Sequence, residues 1–293
     1  MPELPEVETV RRGLADRLVN FQIGQVEVCR ERAIASPGGS ALFIKMLCGM
    51  HVGSWLRRGK YLMASLHHDV AQPSADSEPE PDPDGGWWGV HLRMTGQFQW
   101  HEVISSPCPH TRVRIWNKKD EELRFVDTRS FGQMWWVPPG NAPETIITGL
   151  QKLGPEPFSS AFNSSYLSKR LKGSKRPIKS ALLDQSIVAG AGNIYTDESL
   201  FAARIRPHTP SGQLKKVELE RLCNCLTEVL RVSIGAGGTT FSDFRDLEGI
   251  NGNYGGQAWV YRRAGQACRI CSTPIRRESL CGRGTHWCPN CQR

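Results

Sequence analysis

Val7, Val10, Leu14 and Leu18 recur at the three- and four-residue spacing of a helix's buried stripe. That spacing predicts an amphipathic helix ending near Asn20. The period then changes. Residues 23–28, 52–56, 61–66, 87–92, 111–116, 122–126 and 133–137 are short runs rich in β-branched and aromatic residues, many alternating apolar with polar, and read as strands. Residues 42–47 fit a strand or a short helix equally well. A mostly β region with a helix at its start is the expectation for the first 140 residues.

Pro138, Pro139, Gly140 and Pro143 mark a linker, and beyond it the pattern turns helical. Helices are expected over 165–171, 177–183, 194–203 and 214–233. The last carries Leu214, Val217, Leu222, Leu226, Val229 and Leu230 on one stripe, and Gly235, Gly237 and Gly238 end it. Residues 72–86 interrupt the strands with four prolines, five acids and no base. Such a stretch cannot bury apolar area and reads as a flexible acidic insertion held away from any nucleic-acid face. No internal repeat is visible.

At 293 residues the chain has room for about two domains, and 39% apolar content supports packed cores. No apolar run approaches the roughly 18–20 residues of a membrane span, and the acidic N-terminus lacks a secretory signal. An intracellular, cytoplasmic protein with no membrane partner is expected. The formal charge of +8 favours polyanionic partners. Its distribution is sharper than its total. Lys169, Arg170, Lys172, Lys175, Arg176 and Lys179 fall within eleven residues, and seven arginines stand against one acid from Ala258 to the end. Two separate basic zones point to nucleic acid more than to a merely solvated face.

Two clusters carry chemistry. Cys268-x2-Cys271 and Cys288-x2-Cys291, sixteen residues apart, have the spacing of two zinc knuckles. A closed set of four thiolates implies one structural Zn2+, and some thirty residues need that metal to fold. Cys281 between the knuckles reads as a bystander. The turn Gly282-Arg283-Gly284 reads as presenting one arginine to a phosphate. The second cluster is Met1-Pro2-Glu3-Leu4-Pro5-Glu6. Removal of Met1 leaves Pro2 with a secondary α-amine, which titrates near pH 8 and can attack an aldehydic carbon. Glu3 is placed to move protons beside it. An ordinary helix start with Pro5 in its first turn is the alternative, and the hexapeptide by itself favours it.

Taken in order, these features resemble the bacterial-type formamidopyrimidine-DNA glycosylase family over nearly the whole chain. The motifs are Pro2-Glu3-Leu4-Pro5-Glu6, Arg57-Arg58-Gly59-Lys60-Tyr61-Leu62, His91-Leu92-Arg93-Met94-Thr95-Gly96, Asp127-Thr128-Arg129-Ser130-Phe131-Gly132, Gly190-Ala191-Gly192-Asn193-Ile194-Tyr195 and Gly237-Gly238-Thr239-Thr240, followed by the four cysteines. The resemblance implies an α+β architecture. Residues 1–140 form a catalytic β-sandwich with flanking helices, 141–240 a helix–two-turn–helix domain, 241–257 a flexible lesion-recognition loop and 258–293 a zinc finger.

It also implies the activity. A monomer binds double-stranded DNA containing a damaged base, removes oxidised purines such as 8-oxoguanine and formamidopyrimidines, and cleaves the strand by β,δ-elimination. Pro2 is then the nucleophile, Glu3 the proton carrier, Lys60 a catalytic and phosphate-binding lysine, and Glu6 a support. DNA contacts fall to His91, Met94, Arg129, Phe131, Lys179, Asn193 and Arg283. Met94, Arg129 and Phe131 fill the gap left by a flipped base. As isolated residues, Met94 and Phe131 read as core, and Lys60 as an exposed lysine at a strand start. Ser130 departs from the family pattern, where a basic residue is common. Two other readings stay open: an endonuclease VIII-like glycosylase for oxidised pyrimidines, and a non-catalytic damaged-DNA-binding protein. An N-terminal-proline tautomerase does not fit a zinc hairpin.

Overall fold

The computed structural model describes residues 1–19, 21–69, 83–103, 105–239, 247, 249–250 and 252–293. Most of the acidic insertion, 72–82, and residues 241–246, 248 and 251 of the expected recognition loop lie outside that set. Two compact units emerge: residues 1–2, 6–151 and 239–252, and residues 3–5, 152–238 and 253–293. Among the described residues, no helix is long and apolar enough to cross a membrane.

The first unit is a two-layer β structure. Strands β1 (Gln25–Val28), β2 (His51–Arg58), β3 (Tyr61–His67), β4 (Gly86–His91), β5 (Gly96–His101), β6 (Thr111–Trp116), β7 (Glu122–Asp127) and β8 (Gln133–Val137) form two four-stranded sheets. Their orders are β1-β6-β7-β5 and β2-β3-β4-β8, and every neighbouring pair is antiparallel. One core joins both layers. Trp55, Leu62, Trp88 and Val90 of one sheet cluster with Phe98, Val113, Leu123 and Phe125 of the other. The Trp88 ring meets Phe98 edge-on at 6.1 Å.

Helix α1 (Leu4–Arg17) closes this core with the stripe read from the sequence: Val7, Val10, Leu14 and Leu18 are all buried. The ambiguous segment is a helix, α2 (Gly39–Leu47), burying Phe43 and Leu47. Strand β5 has no counterpart in the sequence reading, because its first residue closes the His91–Gly96 motif. The alternation is nonetheless there, with Phe98 buried while Gln97 and Gln99 are partly exposed. Two short helices, α3 (Pro143–Ile146) and α4 (Thr148–Gln151), end the unit.

The second unit packs α5 (Ser164–Leu171), α6 (Ile178–Leu183), α7 (Asn193–Ala202) and α8 (Lys216–Gly235) with a hairpin, β9 (Arg276–Leu280) and β10 (Arg283–Trp287). Leu214 precedes α8, whose start is fixed by the Lys215 N–H donating to Glu218 Oε2 at 2.8 Å. Val217, assigned to the stripe from sequence, is 63% exposed, so Leu219 and Leu222 begin the buried face instead.

Helix α7 is buried on all sides from Ile194 to Phe201, Asp197 and Glu198 included. Buried carboxylates must find donors within the protein. Asp197 pairs with the Lys179 ammonium at 2.6 Å and accepts the His286 N–H at 2.8 Å. Glu198 accepts three successive backbone N–H groups, from Trp259, Val260 and Tyr261. Even so, burial holds its carboxyl above the usual range.

Lys179 therefore sits inside the unit, 1% exposed, and also donates to Gly284 O and Thr285 Oγ1. Burial pulls its ammonium below the usual lysine range, against the pull of Asp197. Removing one partner of a buried ion pair leaves an uncompensated charge. Lys179→Ala should cost on the order of 3 kcal/mol in urea unfolding of the zinc-loaded protein. Adding Asp197→Asn should return part of that loss, since the amide keeps an acceptor for His286 without the charge.

Candidate active site and nucleic-acid interface

Pro2 is buried, and Glu3 is 3% exposed. The Glu3 carboxylate receives the Ile194 N–H at 3.1 Å and the Tyr195 N–H at 3.5 Å, in the first turn of α7. A negative group there meets unsatisfied donors and the positive end of the helix dipole. Glycine makes the position possible. A Cβ on Gly192 would lie 2.2 Å from Glu3 Cδ, and one on Gly190 would lie 2.5 Å from Leu4 Cδ1. Gly190, with φ of 85°, also accepts the Leu4 N–H at 3.1 Å. The first turn of α7 thus spends two of its N–H groups on Glu3. Glu6, 1% exposed, accepts the Thr239 N–H at 2.9 Å.

Lys60 follows Gly59 in the β2–β3 turn, where Gly59 has φ of 57°. It is 7% exposed, not the exposed strand-start lysine its composition suggests. His91 ends β4 at 8% exposure, its ring edge-on to Tyr61 at 4.4 Å. Burial, with Arg93 and Lys60 nearby, pushes its pKa down to about 3. Its Nδ1 accepts the Arg93 N–H at 2.9 Å, which leaves Nε2 carrying the proton as a donor.

The proposed gap-filling residues stand on two turns tied together. Asp127, fully buried at the end of β7, accepts the Arg129 N–H at 3.2 Å and the Gly132 N–H at 2.7 Å. It also takes a short hydrogen bond from the hydroxyl of Thr95, the residue after Met94. Ser130 at the apex has φ of 54°. Gly132 and Gly96 both face the Phe125 ring, where a Cβ would lie 2.4 and 2.8 Å from Cζ. The result presents Arg129 and Phe131 on the surface, with Met94 half-buried beside them. Phe131 is 38% exposed, and the Arg129 guanidinium lies 4.9 Å from its ring centroid. Sequence reasoning passed over Thr95 and Asp127. An Asp followed at two and five residues by backbone donors is an Asx-type turn, and that signal was available.

In the second unit, Asn193 Nδ2 donates to Gly284 O at 3.0 Å and Arg283 is exposed. The hairpin turn lies one residue earlier than read. Cys281 (φ 50°) and Gly282 (φ 75°) are its two central residues, so Arg283 opens β10 and Cys281 shapes the turn. The four ligand-type sulfurs of Cys268, Cys271, Cys288 and Cys291 lie within 4.8 Å of one another. Cys268 and Cys291 are 3.9 Å apart, Cys271 and Cys288 3.5 Å. Both are far longer than a disulfide. Zn–S bonds of about 2.3 Å in a tetrahedron put sulfurs roughly 3.8 Å apart. The donor set and spacing fit one zinc ion.

Three family models cover the chain in order. They are the formamidopyrimidine-DNA glycosylase N-terminal domain over residues 1–134, the formamidopyrimidine-DNA glycosylase H2TH domain over 153–245, and the zinc finger found in FPG and IleRS over 265–293. A formamidopyrimidine-DNA glycosylase of Prochlorococcus marinus (strain MIT 9313) is 97% identical over the full length of both chains. Among solved structures, Lactococcus lactis Fpg in complex with abasic-site DNA superposes with a TM-score of 0.86, at 32% identity and 99% coverage of both chains. The same organism's protein with Fapy-dG-containing DNA gives 0.85 at 31% identity, covering 99% of this chain and 100% of that one.

Two measurements check the site. Metal analysis should find one zinc per chain, and Cys268→Ser should lose it together with the cooperative unfolding of the hairpin. A proton NMR titration should show His91 neutral from pH 8 down to pH 5, because its folded pKa lies far below 6.5. The stability tied to that burial is present above pH 6.5 and falls as pH drops toward 3.

Proposed function

The chain belongs to the formamidopyrimidine-DNA glycosylase family, and from that premise we propose how its own residues carry out the reaction. The protein is a DNA glycosylase of base excision repair that removes oxidised purines from duplex DNA. Once Met1 is gone, the Pro2 nitrogen attacks the sugar C1′. The glycosidic bond breaks, its electron pair leaves with the base, and a proton goes to the base. Opening of the sugar ring gives an iminium ion. A secondary amine leaves that ion with no N–H proton to lose, so it stays positive and acidifies C2′. Loss of the C2′ proton expels the 3′ phosphate, and a second elimination expels the 5′ phosphate.

The observation that best supports this reading is Glu3 held by two α7 N–H groups in a socket open only to glycine. That fixes a carboxylate one residue from the nucleophile, where it protonates the sugar ring oxygen and relays protons. Neutral His91 suits a phosphate contact that does not titrate at physiological pH, and Lys60 a contact near the reacting sugar. Phe131 wedges into the stack while Arg129 turns its donors to the orphaned base. Asn193 and Arg283 hold the backbone. Lys179 acts at one remove, by fixing Gly284 and Thr285 behind Arg283. The assignment of 241–257 as the base-reading loop belongs to the same proposal.

Borohydride should trap the native protein covalently on duplex DNA containing 8-oxoguanine opposite cytosine. Pro2→Gly should reduce trapping by at least two orders of magnitude. Undiminished trapping in that variant, or none with the native protein, removes Pro2 from the mechanism. A lesion panel with varied opposite bases separates this reading from one in which oxidised pyrimidines are preferred.

A further inference from the structure

Arg32 lies 97 and 99 residues from Arg129 and Phe131 in sequence, yet its guanidinium stands 5.4 Å from the Phe131 ring centroid. The ring is thus shared between two arginines, since Arg129 lies at 4.9 Å. Each distance falls within cation–π range. The placement of Arg32 is built into the backbone. It sits in a 3-10 turn, Glu31–Ala33, followed by Ile34. Ala33 and Ile34 are buried in the core of the first unit. Ile34 bridges Met134, and the Ala35 N–H donates to Met134 O at 2.8 Å. Met134 is only three residues beyond Phe131, so the same strand end fixes both.

The charge of Arg32 is also uncommitted. Among the described residues it has no carboxylate partner, and neither has Arg129. Arg11, Arg57, Arg114, Arg124 and Arg176 all do. Its own neighbour Glu31 is engaged by Ser40 Oγ at 2.6 Å. An exposed guanidinium resting on an exposed aromatic ring, with no acid to neutralise it, suits a phosphate.

We propose that Arg32 is a further DNA-binding residue, taking a backbone phosphate beside the base step that Phe131 opens, and that its contribution depends on the Phe131 ring. The inference rests on the reading of Phe131 as the wedge. Insertion covers the ring with bases and displaces the guanidinium from it. Because the Arg32 backbone is pinned, the freed group remains within a side chain's length of the wedged step, where phosphates flank it. Insertion of the ring is what brings the flanking phosphates within that reach, so without the wedge the guanidinium has no phosphate to take.

The test uses full-length, zinc-loaded protein and a duplex carrying a tetrahydrofuran abasic analogue opposite cytosine, with 2-aminopurine next to it. Affinity is measured across a salt series, and thermal melting checks the fold. Arg32→Gln should weaken binding on the order of fivefold and lower the slope of log affinity against log salt by about one. Arg32→Lys should keep the slope. In a Phe131→Ala background, Arg32→Gln should change affinity less than twofold. An unchanged slope in Arg32→Gln, or the full loss in the Phe131→Ala background, overturns the proposal. The fluorophore reports the wedge separately. If Phe131→Ala leaves the 2-aminopurine signal of the native complex intact, the wedge reading fails whatever Arg32 does.

Discussion

Water does not reach Asp127, Asp197 or Glu198, so each must take its hydrogen bonds from the protein, and that requirement organises both units. Asp127 gathers two turns of the first unit through Thr95, Arg129 and Gly132. Asp197 gathers α6 and the zinc hairpin through Lys179 and His286. Glu198 draws in residues 259–261. An unsatisfied buried carboxylate costs several kcal/mol, so the alternative arrangements of these loops are strongly disfavoured. Loops that would otherwise sample many conformations are held to a few, and Arg129, Phe131 and Arg283, proposed above as DNA contacts, stand on or beside such loops.

Features set by neighbours in sequence were legible in advance. The Val7-to-Leu18 stripe, most strands and the cysteine knuckles depend on residues within a few positions of each other, and one chain suffices to read them. Features set across long separations were not. Nothing near Lys179 says that its ammonium is held by Asp197 and Gly284. Nothing near Gly192 says that a carboxylate from the third residue fills the α7 N-terminus. Lys60 and Arg32 show the same limit in opposite directions: a lysine that composition alone would leave on the surface is buried, and an arginine given no role lies against the wedge candidate.

The distribution of paired and unpaired cations refines the meaning of the +8 charge. Several arginines of the first unit are neutralised by Glu8, Glu27 or Glu122 and belong to its architecture. Those pairs are already counted in the net +8, so the excess positive charge lies on other cations, Arg32 and Arg129 among them.

Glu3 and Leu4 are synthesised long before their partners Gly190, Ile194 and Tyr195, the Glu3–Ile194 bond spanning 191 positions. At roughly 5–20 residues per second, ribosomes need about 10–40 s to bridge that interval. Throughout it the N-terminus has no socket to enter. Glu3 thus stays hydrated until the α7 N-terminus that receives it has been made.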